Sequence, residues 1–482
     1  MLRKTPEPQQ HQLEMVTLEQ LVPKDHLVRK VDAAIDFEFI REEVAHLYCP
    51  DNGRPPVDPV RLFKIMLLGY LFGIPSERKL VKDIEVNLAY RWFLRMSITE
   101  PVIDASTLSQ NRIRRFNGTD VFERIFTRIV QQAMDKGLVE GRTLYTDSTH
   151  LKANANKNKH ENRDMPVKPG AYVDALNQAV VEDRRREGKK ALPPKDRVSS
   201  KATKVSTTDP ESGFMHRDQK PKGFFYLDHR TVDKKHNLIL DTYVTPGNVN
   251  DASPYLGRLD ATCVRFGLHP KNVGLDAGYF QASLCHLLEQ RQINGVFGYR
   301  RPHKGPNVLQ KRDFRYLAAW DTYYCPEHRE LAYSTTSREG YRQYRANVSD
   351  CQGCPRKSDC TQSPGKVITR HVWEDAKDRA KARRLEPWAK AIYNRRKETV
   401  ERSFADAKQH HGHRYARFRG LWKTQMQCLL AATAQNIKTQ ALLQARGLYS
   451  LFLTIVVTPG GRMSLTGRRH CIRSSIWRLM AA

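Results

Sequence analysis

This sequence of 482 residues has no long apolar run and only nine cysteines, and its acidic residues are far fewer than its basic ones. No run of about eighteen apolar residues occurs, so we expect no membrane-spanning helix and no membrane partner. The polar residues 1–10 lack the apolar segment of a secretory signal, and the nine cysteines are odd in number, so we expect reduced thiols. No G-x-x-x-x-G-K-[ST] pattern appears, which argues against an ATP-driven motor.

Positive charge dominates what is present. The chain has 81 Lys and Arg against 52 Asp and Glu, a formal net charge of +29, and 40% of its residues are hydrophobic, enough for a sizeable core. This balance favours a polyanionic partner, and nucleic acid is the leading candidate because each neutralised phosphate releases counterions. A merely soluble basic protein, or a ribosome-associated one, is the alternative. The length suggests about three domains.

Residues 1–137 are predicted to form an all-α DNA-binding domain. Asp58-Pro59 has the pattern of an N-cap followed by the first helical residue, and Thr107 with Gln110 has the pattern of a capping box. A bundle whose arginines are only solvated is the alternative. The candidate DNA-binding residues of this domain are Arg112, Arg114 and Arg115.

After residue 138 the apolar pattern changes to short runs that are typical of strands. The five predicted strands cover residues 144–147, 223–232, 238–244, 273–276 and 295–299. With helices between them, they indicate an α/β class with a mixed five-stranded sheet and flanking helices. The polar segment 152–204 is predicted to be a mobile connection, or a short helix near residues 172–186.

Two of the predicted strands end in a carboxylate, Asp147 and Asp276. Mg²⁺ prefers carboxylate oxygens, and two such ions can bind the attacking and leaving oxygens of a phosphodiester displacement. Turn residues at strand ends are the alternative.

A third carboxylate, Glu401, lies in the basic segment 377–423, where fifteen Lys and Arg meet five Asp and Glu. A continuous helix over residues 393–408 would place Lys397, Glu401 and Lys408 on one face. A metal ligand bordered by phosphate-binding cations would suit catalysis on DNA. An ordinary lattice of helical ion pairs is the alternative.

The motifs around these three carboxylates resemble those of bacterial insertion-sequence DDE transposases. They are Tyr145–Thr149, Leu275–Tyr279 and Glu401–Lys408, and further similar motifs lie at residues 21–26, 53–55, 58–60, 106–109, 244–249 and 414–436. The resemblance covers roughly residues 12–445. It implies a ribonuclease H-like core, two Mg²⁺ or Mn²⁺ ions held by Asp147, Asp276 and Glu401, and DNA strand transfer.

The family's tyrosine–arginine–glutamate–lysine signature is kept only in its glutamate and lysine. The arginine position holds Lys397, with Arg396 beside it, and the tyrosine position holds Asn394, with Tyr393 beside it. The resemblance implies that cations near the glutamate contact phosphates. The candidate DNA-binding residues here are Lys397, Lys408, Arg396 and Arg402.

An insertion, residues 305–375, lies between the second and third carboxylates and contains four cysteines. The C-x-x-C spacing is typical of a structural zinc site, and His328 could replace one ligand. Reduced structural thiols are the alternative. Core packing is the predicted role of Trp320 and Trp373, which bracket the insertion. Stacking on a flipped base, which the resemblance to some related transposases would imply, is the alternative. The candidate zinc ligands are Cys325, Cys351, Cys354 and Cys360.

Five segments are therefore predicted. They are a helical DNA-binding domain (1–137), the first part of the catalytic core (138–304), the insertion (305–375), the rest of the core with the basic helix (376–447) and a basic tail of unknown role (448–482).

The predicted function is metal-dependent cleavage at element ends and strand transfer into target DNA. The partners would be terminal inverted repeats, target DNA and a second copy of the chain, in a bacterial cytoplasm and associated with the nucleoid. A non-catalytic or repurposed DNA-binding protein and a stand-alone metal-dependent nuclease are the alternatives.

Overall fold

The computed structural model describes residues 15–49, 56–166, 172–193, 200–216, 222–299, 309–447, 450–457 and 463–470. The α-helices are α1 (Leu18–Leu21), α2 (Leu27–Ala34), α3 (Phe39–Val44), α4 (Pro59–Leu71), α5 (Glu77–Val86), α6 (Leu88–Phe93), α7 (Ala105–Gln110), α8 (Val121–Asp135), α9 (Val173–Arg186), α10 (Tyr255–Phe266), α11 (Ala282–Gln290), α12 (Val348–Gln352), α13 (Lys357–Cys360), α14 (Glu374–Arg383), α15 (Pro387–Asn394), α16 (Val400–His410) and α17 (Leu421–Ala445).

The strands are β1 (Thr143–Lys152), β2 (His160–Pro166), β3 (Ser200–Ser206), β4 (Gly213–Met215), β5 (Gly223–Asp233), β6 (Ile239–Pro246), β7 (Asn272–Leu275), β8 (Asn294–Phe297), β9 (Arg315–Leu317), β10 (Thr322–Tyr324), β11 (Glu330–Thr336), β12 (Tyr341–Ala346), β13 (Val367–His371), β14 (Ser450–Val457) and β15 (Met463–His470). The chain divides into two compact units. One, the helical unit, comprises Met1–Val139, Ala405–Phe418 and Trp422–Ala482, and the other, the sheet unit, comprises Glu140–Phe404 and Arg419–Leu421.

Side-chain caps fix where the helices of the helical unit begin. The Asp58 carboxylate accepts the Arg61 amide at 2.9 Å and Pro59 follows it, so the N-cap predicted before α4 is confirmed. The predicted capping box at Thr107 is wrong. Asp104 caps α7 instead, by accepting the amide of Ser106 at 2.7 Å. The helix therefore begins before Thr107, which lies inside it.

A distant segment completes the helical unit. The helix α17 is buried along most of its length, as is α4. The Gln440 side chain donates to the Ile129 carbonyl at 3.1 Å and accepts from Lys136 at 3.3 Å. These contacts join α17 to the end of α8, more than 300 residues away in sequence. Sequence patterns do not show such a pairing, because it joins segments that are not neighbours along the chain.

The main sheet of the sheet unit runs in the order β4-β5-β1-β7-β8, with β6 also paired to β5. The strand β5 is antiparallel to β1, whereas β7 and β8 run parallel to β1. The mixed α/β prediction is thereby confirmed. The sheet has six strands rather than the predicted five because the short β4 pairs with β5 beyond the end of β6.

The polar segment between β1 and β5 contains both kinds of secondary structure. Its helix, α9, lies where the pattern near residues 172–186 predicts one. The prediction that the rest is only a connection is wrong, because β2 and β3 pair as an antiparallel ladder from His160–Ser206 to Pro166–Ser200. These strands are separated by more than thirty residues in sequence, so no local turn pattern announces them.

The insertion is built on a second sheet of order β13-β12-β11-β10-β9, all antiparallel. Its core contains Tyr323, Leu331 and Tyr344. Trp373 is buried and stacks on His286 with 4.6 Å between the ring centroids, as core packing requires. The same prediction is wrong for Trp320, which is 80% exposed because it lies in the turn between β9 and β10.

No helix in the described ranges is long and apolar enough to span a bilayer. In the tail, β14 and β15 pair as an antiparallel hairpin.

Candidate active site

The first two predicted carboxylates lie at the same edge of the main sheet. The parallel pairing of β1 with β7 ends at Thr146 and Leu275, and Asp147 and Asp276 are the next residue after each. Asp276 follows the end of β7, but Asp147 does not end its strand as predicted, because β1 continues to Lys152 and Asp147 pairs with Arg230 of β5. Because Thr146 and Leu275 are neighbours in the parallel register, the residues that follow them lie close together.

The third carboxylate is placed by an interrupted helix. The predicted helix over residues 393–408 is not continuous, because α15 ends at Asn394 and α16 begins only at Val400. Between them, Thr399 has φ −112° and ψ −98°, and its hydroxyl donates to the Arg395 carbonyl at 2.9 Å.

The interruption decides which cation faces the sheet. In a continuous helix Lys397 would share the face of Glu401, but the structure leaves Lys397 exposed and buries Arg396. Tyr393 accompanies Arg396, whose guanidinium lies 5.5 Å from the centre of that ring. A Cβ at Gly298 would lie 2.5 Å from the Tyr393 hydroxyl, so a glycine there allows the ring to pack.

One guanidinium lies among all three carboxylates. Arg396, whose side chain is 4% exposed, contacts Asp147 at 2.6 Å and both Asp276 and Glu401 at 3.7 Å. The three acids are more open, with side chains 22%, 41% and 46% exposed respectively. Among the residues described, no three of these carboxylate oxygens approach within 4.8 Å of one another. Each acid therefore lies close to the Arg396 guanidinium, while the three carboxylates are farther from one another.

The electrostatics of Asp147 reflect this crowded position. Burial raises the pKa of Asp147 to about 6; the Arg396 charge and the Ser148 amide act in the opposite direction, and Asp276 and Glu401 raise it further. A carboxyl group with this pKa is ionised at neutral pH but gains a proton readily in mild acid. A neighbouring cation such as Arg396 therefore favours the ionised form of Asp147 by lowering its pKa.

A buried ion pair connects the sheet to the helix that carries Glu401. Asp228 and Arg230, both on β5, pair at 2.8 Å with no exposed side-chain surface. Arg230 also donates to the Ser403 hydroxyl at 3.2 Å and lies over the Phe404 ring at 4.9 Å. These contacts fix the first turns of α16 against β5, and with them the position of Glu401.

A fourth acid lies close to the first. The Ser148 hydroxyl donates to Asp251 at 2.9 Å, so Asp251 is one residue away from Asp147 through a hydrogen bond. The sequence interpretation missed Asp251, Arg230 and Asp228. The polar run after β6 was the available signal for Asp251, and the four polar residues 228–231 inside an otherwise apolar strand were the available signal for the buried pair.

The predicted DNA-binding cations are distributed unevenly. Arg112 is only 5% exposed and pairs with Glu77, while Arg115 lies over the Tyr48 ring at 4.0 Å. Arg396 is buried among the carboxylates, and Lys408 is half-buried on α16. The exposed members of the predicted set are Arg114, Lys397 and Arg402.

The four predicted zinc ligands lie near one another in the insertion and are free thiols. Burial raises the pKa of the Cys360 thiol, Lys366 lowers it, and the other three cysteines raise it. The Arg329 amide donates to the Cys325 sulfur at 3.3 Å. In the described part of the chain, no three of these sulfurs lie within 4.8 Å of one another.

Two segments of the chain match models of known protein families. Residues 16–114 match a family described as Transposase domain (DUF772), and residues 324–441 match one described as Transposase DDE domain. Both of these families are families of transposases. The resemblance drawn from the motifs is confirmed. This transposase is an enzyme of DNA transposition, which cleaves DNA and transfers strands.

The matched segments do not cover the whole candidate site of the transposase. The second includes Glu401 and the four cysteines, whereas Asp147 and Asp276 lie outside both. No curated protein matches the chain. Among solved structures, it is similar to a piggyBac transposase synaptic complex with hairpin DNA, at 11% identity and a TM-score of 0.35, over 87% of this chain and 76% of that one.

Proposed function

We propose that Asp147, Asp276 and Glu401 hold two divalent metal ions, Mg²⁺ or Mn²⁺, in a ribonuclease H-like core. The observation that carries the proposal is their convergence within 3.7 Å of Arg396. Every donor is a carboxylate oxygen, the ligand that Mg²⁺ prefers. The strand order, with β5 antiparallel and β7 and β8 parallel to β1, supports this core. Two such ions, when bound, activate water and stabilise charge on the transferred phosphate.

In the proposed reaction, water attacks a phosphodiester at the element end and leaves a 3′ hydroxyl, which then attacks target DNA. The protein supplies no nucleophile. Arg396 offsets one of the three carboxylate charges until the acids have other counter-ions, and is then released to pair with a DNA phosphate. Arg396 and Tyr393 thus take the arginine and tyrosine roles of the family signature, each one residue before its usual position.

Arg230 has a positioning role in this proposal. It does not touch the reacting atoms, but its bonds to Asp228 and Ser403 hold the helix of Glu401 against β5. Asp251 is proposed to orient Ser148, the residue that follows Asp147, by accepting its hydroxyl.

Residues 1–137 are proposed to recognise the terminal inverted repeats, and residues 138–304 and 376–447 to form the catalytic core. The charge of +29 supports extended contact with DNA and residence on a bacterial nucleoid in the cytoplasm. Two element ends must be cut together, which favours a homodimer on DNA. Lys397, Lys408, Arg402, Arg114 and Arg115 are the proposed phosphate contacts.

The insertion is proposed to hold one structural Zn²⁺ through Cys325, Cys351, Cys354 and Cys360. Four thiols in one small region fit the tetrahedral sulfur coordination of zinc, and the Arg329 amide bonded to the Cys325 sulfur suits a thiolate ligand. Elemental analysis of purified protein should give one zinc per chain. Zinc-free protein in which all four thiols titrate freely would contradict the site.

The catalytic proposal is tested with the full chain and duplexes taken from the DNA that flanks its gene. Asp147→Asn, Asp276→Asn and Glu401→Gln should each remove cleavage in Mg²⁺ while gel shifts still show DNA binding. Glu398→Gln is the matched control, because Glu398 is exposed and lies three residues before Glu401.

Three outcomes would change the proposal. Near wild-type cleavage by any of the three variants would show that the residue is not a ligand. Cut ends that never join a second duplex would indicate a nuclease, and binding without cleavage would indicate a DNA-binding protein alone.

A further inference from the structure

The helical unit contains a second group of buried charges that neither the family nor the metal site explains. A cavity of about 150 Å³ lies among α4, α5, α7, α17 and the segment 417–418. That volume equals roughly five water molecules at about 30 Å³ each. Apolar side chains form much of its wall. Its polar lining consists of Tyr70, Glu77, Arg112 and Arg417.

Aromatic rings hold both arginines in place, and Arg112 also pairs with Glu77. The Arg112 guanidinium lies 4.2 Å from the centre of the Phe418 ring, and that of Arg417 lies 4.2 Å from the centre of the Tyr70 ring. Such stacking fixes a guanidinium plane while leaving its N–H groups available.

These N–H groups lack acceptors. Nε of Arg112, and both Nε and Nη2 of Arg417, are buried without a hydrogen-bond partner. Unpaired donors of this kind are costly, and in native proteins they indicate a water or an ion. The backbone amide of Arg417 is already fixed, because it donates to the Gln427 side chain at 2.8 Å.

The charges around the cavity do not balance. Arg112 pairs with Glu77, but no other acid lines the cavity, so the charge of Arg417 has no counter-ion among the lining residues. Burial lowers the pKa of Arg112, Tyr70 raises it, and the neighbouring Arg417 lowers it further. The buried Arg112 and the partly buried Arg417, with one acid between them, attract an anion.

We propose that this cavity is a binding site for one phosphate group, with Arg417 as its principal ligand. Phosphate fits because it accepts several hydrogen bonds from guanidinium groups in a fixed arrangement. The phosphate can come from the DNA backbone or from free phosphate in solution. The site lies within the helical unit and does not depend on the metal ligands.

The first experiment measures thermal unfolding of the full chain in sodium phosphate against sodium chloride at equal ionic strength. Phosphate should raise the melting temperature of the wild type in a saturable manner. Arg417→Met should weaken this affinity by about tenfold or more, because it removes charge-assisted hydrogen bonds but keeps an apolar side chain over Tyr70. Arg414→Met is the matched control, since Arg414 is exposed in the same segment and does not line the cavity.

The second experiment distinguishes the two sources by measuring DNA affinity across a salt series. If a backbone phosphate binds in the cavity, Arg417→Met should reduce the slope of log K against log salt by about 0.9. If Arg417→Met leaves the slope unchanged while phosphate still stabilises the wild type, the site binds free phosphate.

The proposal is overturned if phosphate stabilises the wild type no more than chloride does, or if Arg417→Met responds to phosphate like the wild type. The wild-type titration decides the matter even where Arg417→Met fails to fold.

Discussion

Two arginines of the sheet unit are each surrounded by three carboxylates, but the two clusters differ in how completely the acids are satisfied. In the Arg342 cluster, Arg342 contacts Glu187 at 2.6 Å, Asp321 at 2.7 Å and Asp183 at 3.3 Å. Further donors complete it: Asp321 accepts the hydroxyls of two tyrosines, both at 2.7 Å, and Asp183 accepts that of Thr336 at 2.6 Å. The Arg342 cluster has a second cation, Arg186, which pairs with Asp183 at 2.7 Å and with Glu187 at 3.5 Å.

The Arg396 cluster also has three carboxylates around one arginine, but its structure is looser. Only Asp147 is in close contact with the guanidinium, while Asp276 and Glu401 are 3.7 Å away and nearly half exposed. Satisfied acids have little to gain from a metal ion, whereas acids held at a distance by a single cation keep free lone pairs. The structural cluster therefore differs from the candidate metal site in two ways, its additional hydroxyl donors and its second cation.

The largest expected difference is in stability. Arg342→Met should lower the free energy of unfolding by about 3–5 kcal/mol, because it removes the buried cation shared by three acids and leaves Asp183 and Glu187 with only the exposed Arg186. Arg396→Met should cost less than half as much in EDTA, since water can reach two of its three partners. Urea unfolding of both variants measures this. Equal losses would remove the distinction between the clusters.

Substitution of Asp147 is expected to raise the free energy of unfolding, by less than Arg342→Met lowers it. Because its folded pKa is about 6, above the ordinary value of 3.8, the folded state binds this proton more tightly than the unfolded chain. Stability from this group is therefore greatest in acid and is lost as pH rises through about 6. Asp147→Asn should stabilise the metal-free protein at pH 7 by up to about 3 kcal/mol.

Unfolding in urea at pH 5 and pH 7, in EDTA, checks the prediction for Asp147. Asp321→Asn is the comparison from the Arg342 cluster and should destabilise at both pH values. A loss of stability in Asp147→Asn at pH 7 would show that its bond to Arg396 outweighs its burial.

The smallest effect concerns surface cations. Replacing Lys397 and Lys408 by alanine should flatten the dependence of log K for DNA on log salt by about two, or about 0.9 for each phosphate contact. The same change at Lys189 and Lys190, exposed residues close to the Arg342 cluster, should leave the slope unchanged. Binding across a salt series measures both slopes. If the two double variants have equal slopes, Lys397 and Lys408 do not contact DNA phosphates.

The local parts of this fold could be predicted from the sequence. Short apolar runs that end in Asp147 and Asp276 mark the two parallel strands, and Asp58-Pro59 marks the start of α4. The pairing of β2 with β3 could not be predicted, since it joins residues distant in sequence. Neither could the closure of the helical unit by α17.

The candidate site was predictable in its acids but not in its cation. The helical period of residues 393–408 points to Lys397, and nothing in the residue types announces the interruption at Thr399 that brings Arg396 inward instead. Backbone geometry at one residue thus decided which side chain faces the carboxylates.

The central claim, that the Arg396 cluster is a metal site whose arginine occupies it in the absence of metal, is tested most directly by Mn²⁺ binding. Free Mn²⁺ is followed by electron paramagnetic resonance during titration of the wild type, Arg396→Met, Asp147→Asn and the control Arg395→Met. Arg395 is exposed and adjacent, and its guanidinium donates to the Lys234 carbonyl at 3.4 Å.

The account predicts that Arg396→Met binds Mn²⁺ about tenfold more tightly, because a competing positive charge is removed from beside the ligands. Asp147→Asn should lose binding, and Arg395→Met should match the wild type. Weaker binding by Arg396→Met, or unchanged binding by Asp147→Asn, would contradict the account.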